Sequence, residues 1–438
     1  MLNKLKKMGV IFMTAILLAT AGCTATGDEK TPITPNNDIQ PITPNNDIQM
    51  STQSPLTPNN DIQMSTQSPL MNTYKLLNNE KKLTIGYLGG SITLGTSAGD
   101  ITKSWVNRVS SWFGEQFPDA TIETVNAGVS DTATNFGIYR LRNDLMNTNG
   151  HDMPDLVFVE FTNNDFIYAS QNEDDLKLQI ESLILNIWGC NPNAEIIAIS
   201  TSTSRVPSRT MYQSLFEKYN LTFIDVGYPL RKKMREKKSD TEGKIYYYTT
   251  DNLHPSARGY EVYLDEIVKV IKPYLTNLAP KDKNLTDYNK SKPVTESVNL
   301  ILSPKVISAD KLKHKGAAKL TDSPISFSQF GTALTRSTVQ FTASSIHLSG
   351  ESTITAEFSG SALGVVMQLD KVGFEMRWKV DGGEWKEFAV NDKSWPFQRY
   401  NHPQVFMMEH NLSQDKHTVV IEFSKNTDVR LGGILVNE

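Results

Sequence analysis

Four short segments of this 438-residue chain carry side chains that could act together on an acyl group. Leu88-Gly89-Gly90-Ser91-Ile92-Thr93 sets a serine on a glycine-rich turn at the end of an apolar run. From such a turn a hydroxyl and its backbone N–H can both face a substrate. Val125-Asn126-Ala127-Gly128-Val129-Ser130 adds a loop glycine, and Val159-Glu160-Phe161-Thr162-Asn163-Asn164-Asp165 adds two adjacent amides. Asp251-Asn252-Leu253-His254-Pro255 places a carboxylate three residues before an imidazole. A serine hydroxyl is a weak nucleophile until a base takes its proton. The imidazole that takes it needs a carboxylate to fix its tautomer. The oxyanion formed on attack needs donors aimed at it. Taken singly, each segment is ordinary. Gly-Gly-Ser is common in loops, Asn-Asp is a frequent turn or N-cap, and Asp-x-x-His fits a surface loop or half a metal site. Their order, and their placement at the ends of apolar runs, is what joins them.

Something must hold these segments at one end of a scaffold. Apolar runs of strand length occupy residues 82–88, 120–125, 155–161, 194–200 and 221–226. Helical patterns lie between them. Trp105, Val106, Val109, Trp112, Phe113 and Phe117 form one stripe, which makes both tryptophans core residues. Leu176, Ile180, Leu183, Ile184, Ile187 and Trp188 form a second, and Tyr260, Tyr263, Leu264, Ile267, Val268 and Ile271 a third. Strands alternating with helices predict a parallel sheet covered on both faces. Ligands bind such sheets beyond the carboxyl ends of the strands. After a charged linker at residues 279–297 the period changes to two. Phe374, Met376, Trp378 and Val380 alternate with charged residues, Asp381-Gly382-Gly383 supplies a turn, and His417, Val419, Ile421 and Phe423 alternate again. Residues 298–438 read as an antiparallel β-sandwich.

The four segments, in this order, resemble the Ser, Gly, Asn and Asp-x-x-His blocks of the SGNH (GDSL-type) hydrolase superfamily. The resemblance covers residues 80–278 and implies a flavodoxin-like α/β/α fold. It implies Ser91 as nucleophile, His254 as base and Asp251 as the group that orients the base. It also implies an oxyanion hole made of the Ser91 and Gly128 backbone N–H groups and the Asn164 side-chain amide. Family register favours Asn164 over Asn163. Two positions depart from the pattern: Gly90 stands where an Asp commonly precedes the nucleophile, and Asp131 where a second glycine is usual. Glu160, inside the Asn block, is expected to make a supporting hydrogen bond.

The N-terminus reads as an export signal. Lys4, Lys6 and Lys7 precede an apolar run at residues 8–19 that is too short to span a bilayer. Ala-Thr-Ala-Gly-Cys, ending at Cys23, resembles a bacterial lipobox, which implies a lipidated Cys23 and a chain tethered outside the cytoplasm. An ordinary secretory signal with a chance cysteine is the alternative. Residues 24–71 are Pro/Asn/Gln-rich, and the fourteen residues 43–56 recur unchanged as 57–70. Such a tract cannot bury enough apolar surface to fold, and reads as a disordered stalk. The expected organisation is therefore a signal (1–23), stalk (24–71), hydrolase domain (72–278), linker (279–297) and β-sandwich (298–438).

Composition narrows the function. Lys plus Arg total 44 against 48 Asp plus Glu, a net charge of −4, which excludes a generally basic nucleic-acid binder. Cys23 and Cys190 are the two cysteines, too few for a disulfide scaffold or a cysteine-built zinc site. No metal or organic cofactor is expected. The chemistry and the export signal together point to an ester hydrolase acting on acylated polysaccharide, most simply O-acetyl removal. An O-acetyltransferase and a non-catalytic glycan-binding lipoprotein remain the alternatives. The β-sandwich resembles sugar-binding jelly-roll modules, on its hairpin pattern and the closing Leu431-Gly432-Gly433-Ile434-Leu435-Val436. Trp385, Trp395 and Tyr400 are candidates for stacking on sugar rings, and residues 392–402 for a functional loop.

Overall fold

The computed structural model describes residues 70–145, 153–169, 172–203, 206–238, 247–276, 299–328, 338–391 and 403–438. The signal segment with Cys23, the repeat tract up to residue 69, the whole linker at 279–297, and residues 392–402 with Trp395 and Tyr400 lie outside these. Strands β1 (Lys82–Gly89), β2 (Thr121–Gly128), β3 (Leu156–Glu160), β4 (Glu195–Ser200) and β5 (Thr222–Asp225) form a parallel sheet in the order β2-β1-β3-β4-β5. This is the flavodoxin-like winding. β3 and β4 are buried at every residue and β1 at all but its first, as a sheet covered on both faces demands.

The helices are α1 (Met71–Lys75), α2 (Ser91–Leu94), α3 (Trp105–Gln116), α4 (Thr134–Leu145), α5 (Thr162–Asn164), α6 (Glu173–Cys190), α7 (Pro207–Lys218), α8 (Gly227–Lys238) and α9 (Ala257–Thr276). Alternate strand residues serve opposite faces. Leu83, Ile85, Tyr87 and Phe158 pack under α3 and α9, while Val125, Val157 and Val159 pack under α4, α6 and α7. Trp105 and Phe158 clasp the buried Tyr87 ring, at centroid distances of 5.2 and 5.1 Å. Leu70, which the sequence assigns to the stalk, is fully buried in this core. Just after it, the first backbone N–H groups of α1 donate to the Glu195 carboxylate, from Asn72 at 2.7 Å and Thr73 at 2.8 Å. A carboxylate at a helix N-terminus satisfies donors that have no partner within the helix.

The second part contains β6 (Pro304–Ser308), β7 (Lys313–Thr321), β8 (Ser326–Ser328), β9 (Thr338–Gln340), β10 (Ser345–Ser359), β11 (Leu363–Leu369), β12 (Phe374–Val380), β13 (Lys386–Val390), β14 (Pro403–Glu409), β15 (Lys416–Phe423) and β16 (Val429–Asn437). Its main sheet is antiparallel, in the order β13-β12-β15-β10-β16-β11-β14, with β6 added to β16 and β7 to β10. The sheet curls until its ends touch. Phe388 of β13 lies 4.6 Å from Phe406 of β14, and Trp378 Nε1 donates to Glu409 at 2.8 Å. The β12–β13 turn has Asp381 and Gly382 in the left-handed region, at φ 52° and 70°, the backbone that matches hairpin twist. Trp385 beside it lies within 4.4 Å of the Arg377 guanidinium and 4.6 Å of the Lys379 ammonium. The hairpin's own cations thus occupy this ring.

The two parts share apolar packing. Ile301, Ile325, Val366, Val405 and Leu435 join the core under α4 and α6. Phe136 of α4 meets Phe341 at 4.4 Å, and Asn186 of α6 donates to the Ile301 carbonyl at 2.6 Å.

Candidate active site

The nucleophile turn is built from what glycine lacks. A Cβ on Gly89 would stand 2.1 Å from Thr93 Oγ1, and one on Gly90 would stand 2.5 Å from Asn164 Nδ2. Gly90 is extended, and Ser91 begins α2 directly after it. The glycine in place of the usual Asp therefore lets the Asn164 amide close against the serine. Behind this turn, Trp105 Nε1 donates to the Ile92 carbonyl at 3.2 Å, and Tyr260 OH donates to the Thr96 carbonyl at 2.8 Å.

Ser91 Oγ lies 2.8 Å from His254 Nε2, and His254 Nδ1 lies 2.6 Å from Asp251 Oδ2. The second carboxylate oxygen of Asp251 accepts backbone N–H bonds from Leu253 at 3.0 Å and His254 at 2.7 Å. Asn252, at φ 68°, gives the left-handed step that turns the chain back for these bonds. Burial pushes the Asp251 carboxyl up, but the bonds from the His254 ring and these two N–H groups outweigh it. Its pKa is therefore lowered, and it stays ionised. The structure thus brings together Ser91, Asp251 and His254 from the ends of β1 and the start of α9.

Asn164 and Asn163 part company. Asn164 Nδ2, which carries two N–H groups, donates to the Thr132 carbonyl at 2.7 Å beside the Ser91 turn. Asn163 turns away and donates to Thr201 Oγ1 at 3.0 Å. The Gly128 N–H donates to Asn126 Oδ1 at 2.9 Å. A Cβ there would stand 2.2 Å from the Leu94 backbone nitrogen, so this glycine exists to let α2 pack on β2. Asp131, where the family pattern has a glycine, does adopt the left-handed backbone, at φ 58°, and accepts from Tyr168 OH at 3.1 Å.

Two buried carboxyls brace the site. Glu160 accepts from Thr93 Oγ1 at 2.9 Å and Thr201 Oγ1 at 2.7 Å, tying α2 to the end of β4. Burial raises its pKa to about 7 against those hydrogen bonds. Asp165, next to Asn164, accepts from the Thr134 N–H at 2.7 Å and the Thr134 hydroxyl at 2.8 Å, and burial raises it also to about 7. Sequence reading gave Asp165 no role although it closes the Asn block, and it missed Thr132 and Arg140, which are buried polar residues outside any motif. The left-handed step at Asp131 was signalled only by the expected glycine. Among the described residues no cluster of His, Cys, Asp and Glu could hold a metal ion.

Residues 87–262 match the GDSL-like lipase/acylhydrolase family. The α/β part of the chain belongs to this family. It is an ester-bond hydrolase domain. No curated protein matches the chain. Among solved structures, a two-domain esterase (CEX) active on acetylated mannans is 17% identical. The likeness covers 84% of this chain and 95% of that one, with a TM-score of 0.61. The structure of such an esterase co-crystallized with mannopentaose aligns equally well. The likeness spans both parts of the fold. A Clostridium thermocellum family 3 carbohydrate esterase is 18% identical over 45% of this chain and 99% of its own, with a TM-score of 0.34.

Proposed function

We propose that this GDSL-like hydrolase is an extracytoplasmic serine esterase that removes O-acetyl groups from a polysaccharide through an acyl-serine intermediate. One observation carries the chemistry: the unbroken relay from Asp251 through His254 to Ser91, with the Asn164 amide against the nucleophile turn. Ser91 Oγ attacks the acyl carbon while His254 Nε2 takes its proton. The carbonyl oxygen becomes an oxyanion that accepts from the Ser91 N–H and from Asn164 Nδ2. His254 then returns the proton to the sugar oxygen, which leaves as a hydroxyl. Water, deprotonated by the same nitrogen, releases acetate and restores Ser91. The acetylated-mannan activity of the two-domain fold neighbour favours a hemicellulose-type substrate. The signal pattern ending at Cys23 favours a lipid-anchored enzyme on the outer face of a membrane.

The test is acetate release by the chain from residue 24 onward, beside its Ser91→Ala variant. The panel is acetylated mannan, acetylated xylan, acetylated peptidoglycan and an aryl acetate. Release by the wild type alone, greatest on one polymer, is the expected result. No release from any of them, the aryl ester included, would overturn the reading.

A further inference from the structure

One guanidinium reaches both the turn that carries Ser91 and the residue that accepts from Asn164. Arg140 lies on α4 with 3% of its side chain exposed. Nη2 donates to the Gly89 carbonyl at 3.0 Å and to Thr132 Oγ1 at 3.2 Å, while Nη1 donates to the Ala127 carbonyl at 2.8 Å and to Asp144 at 2.6 Å. Gly89 stands two residues before the nucleophile. Ala127 is the last residue but one of the neighbouring strand, whose continuation bonds back to Gly89 through the Val129 N–H at 3.0 Å. Thr132 presents its carbonyl to Asn164 Nδ2. The same cation therefore contacts the nucleophile turn, the end of β2 and the residue that aims the Asn164 amide.

We propose that Arg140 is a positioning residue for ester hydrolysis: it fixes the spacing between the Ser91 N–H and the Asn164 amide. This deepens the esterase reading and rests on it. A buried cation costs stability unless paired, and an apolar side chain of equal volume would pack α4 at no such cost. Asp144 and three oxygens from three segments offset that cost here. Nε is left without a partner, so the ring of contacts is set by the strand ends rather than by full use of the donors. The planar fork is what reaches two carbonyls on adjacent strands at once, and a lysine ammonium has no equivalent geometry. Donors to an oxyanion act by being in place before charge develops, and a displacement of about 1 Å can cost 100-fold in rate.

The experiment compares Arg140→Lys and Thr132→Val with the wild type, in the same chain and on the aryl acetate. It reads kcat, KM, melting temperature and inhibition by a small boronic acid, which adds to Ser91 and puts an oxygen where the oxyanion forms. Arg140→Lys is expected to lower kcat by about 30- to 100-fold with KM within about threefold, and to weaken boronate binding by a similar factor. Thr132→Val, which keeps the cation but loses its contact with the Thr132 hydroxyl together with that hydroxyl's bond to the Val129 carbonyl, should lower both by about fivefold. A folded Arg140→Lys with kcat and boronate affinity within about threefold of wild type overturns the proposal. If that variant does not fold, an unchanged Thr132→Val overturns it instead. An inactive wild type would sink the esterase reading itself, whereas an active wild type, inactive Ser91→Ala and fully active Arg140→Lys would sink only this one.

Discussion

Replacing Asp251 by asparagine tests the relay at its most asymmetric point. Oδ1 accepts two backbone N–H groups, at 2.7 and 3.0 Å, and Oδ2 faces His254 Nδ1 at 2.6 Å. In Asp251→Asn the amide oxygen keeps the two backbone bonds, so its NH2 turns to the ring. An amide N–H donating to Nδ1 forces the imidazole proton onto Nε2, and Nε2 then cannot accept from Ser91. Flipping the amide would restore the tautomer but set NH2 against two N–H donors. That forfeits two hydrogen bonds of about 1 kcal/mol each and leaves their donors opposed. The wrong tautomer therefore dominates, and the charge that stabilised the imidazolium is gone as well. In triads of this kind the loss is about 10⁴ in kcat, or roughly 5 kcal/mol. Initial rates on an aryl acetate measure it. KM should hold within about threefold, because the relay places the carboxylate behind the imidazole, on the side away from Ser91. Melting should change little, since the Asp251 side chain is half exposed. A folded variant retaining more than about 1% of wild-type kcat would refute the role given to this carboxylate.

Other consequences are open to simpler measurement. Asn164→Ala should lower kcat about 100-fold or more, as for other oxyanion donors, and an unchanged rate would remove this amide from the hole. Glu160 titrates near 7 when folded, against about 4.3 when exposed, so its favourable contribution is complete below pH 4 and lost as pH rises through 7. Glu160→Gln should therefore gain stability relative to wild type between pH 5 and 8, by on the order of 3 kcal/mol, and a flat difference in melting temperature would contradict it. Phe341→Ala removes a ring packed 4.4 Å from Phe136 and should destabilise the chain by about 2 kcal/mol within a single cooperative transition. Two separated transitions in wild-type calorimetry would deny the shared core.

The strands were legible because β1, β3 and β4 are buried on both faces and so read as unbroken apolar runs. The relay was legible because its chemistry requires a serine, a histidine and an acid at the ends of such runs. Helix α4 was not. Nearly all of it is buried, but Asn135 and Arg140 are among the buried residues, so no apolar stripe marks it. Its side chains face the site on one side and the β part on another, and periodicity cannot separate two polar duties from exposure. Gly128 carries a related ambiguity. A glycine at a strand end signals close approach; the fold shows α2 approaching it, which the sequence does not say. Leu70 closes a repeat whose other copy ends at Leu56, so only the fold distinguishes the copy that is buried.

The clasp of α1 on Glu195 also fixes an orientation. Glu195 opens β4, whereas Ser91 and Asn164 follow the far ends of β1 and β3. The chain thus enters the α/β layer at the floor of the sheet, a full strand length from the chemistry. The entry point and the acyl chemistry therefore sit at opposite poles of one parallel sheet, so a change at the α1–Glu195 clasp leaves the strand ends that carry Ser91 and Asn164 untouched.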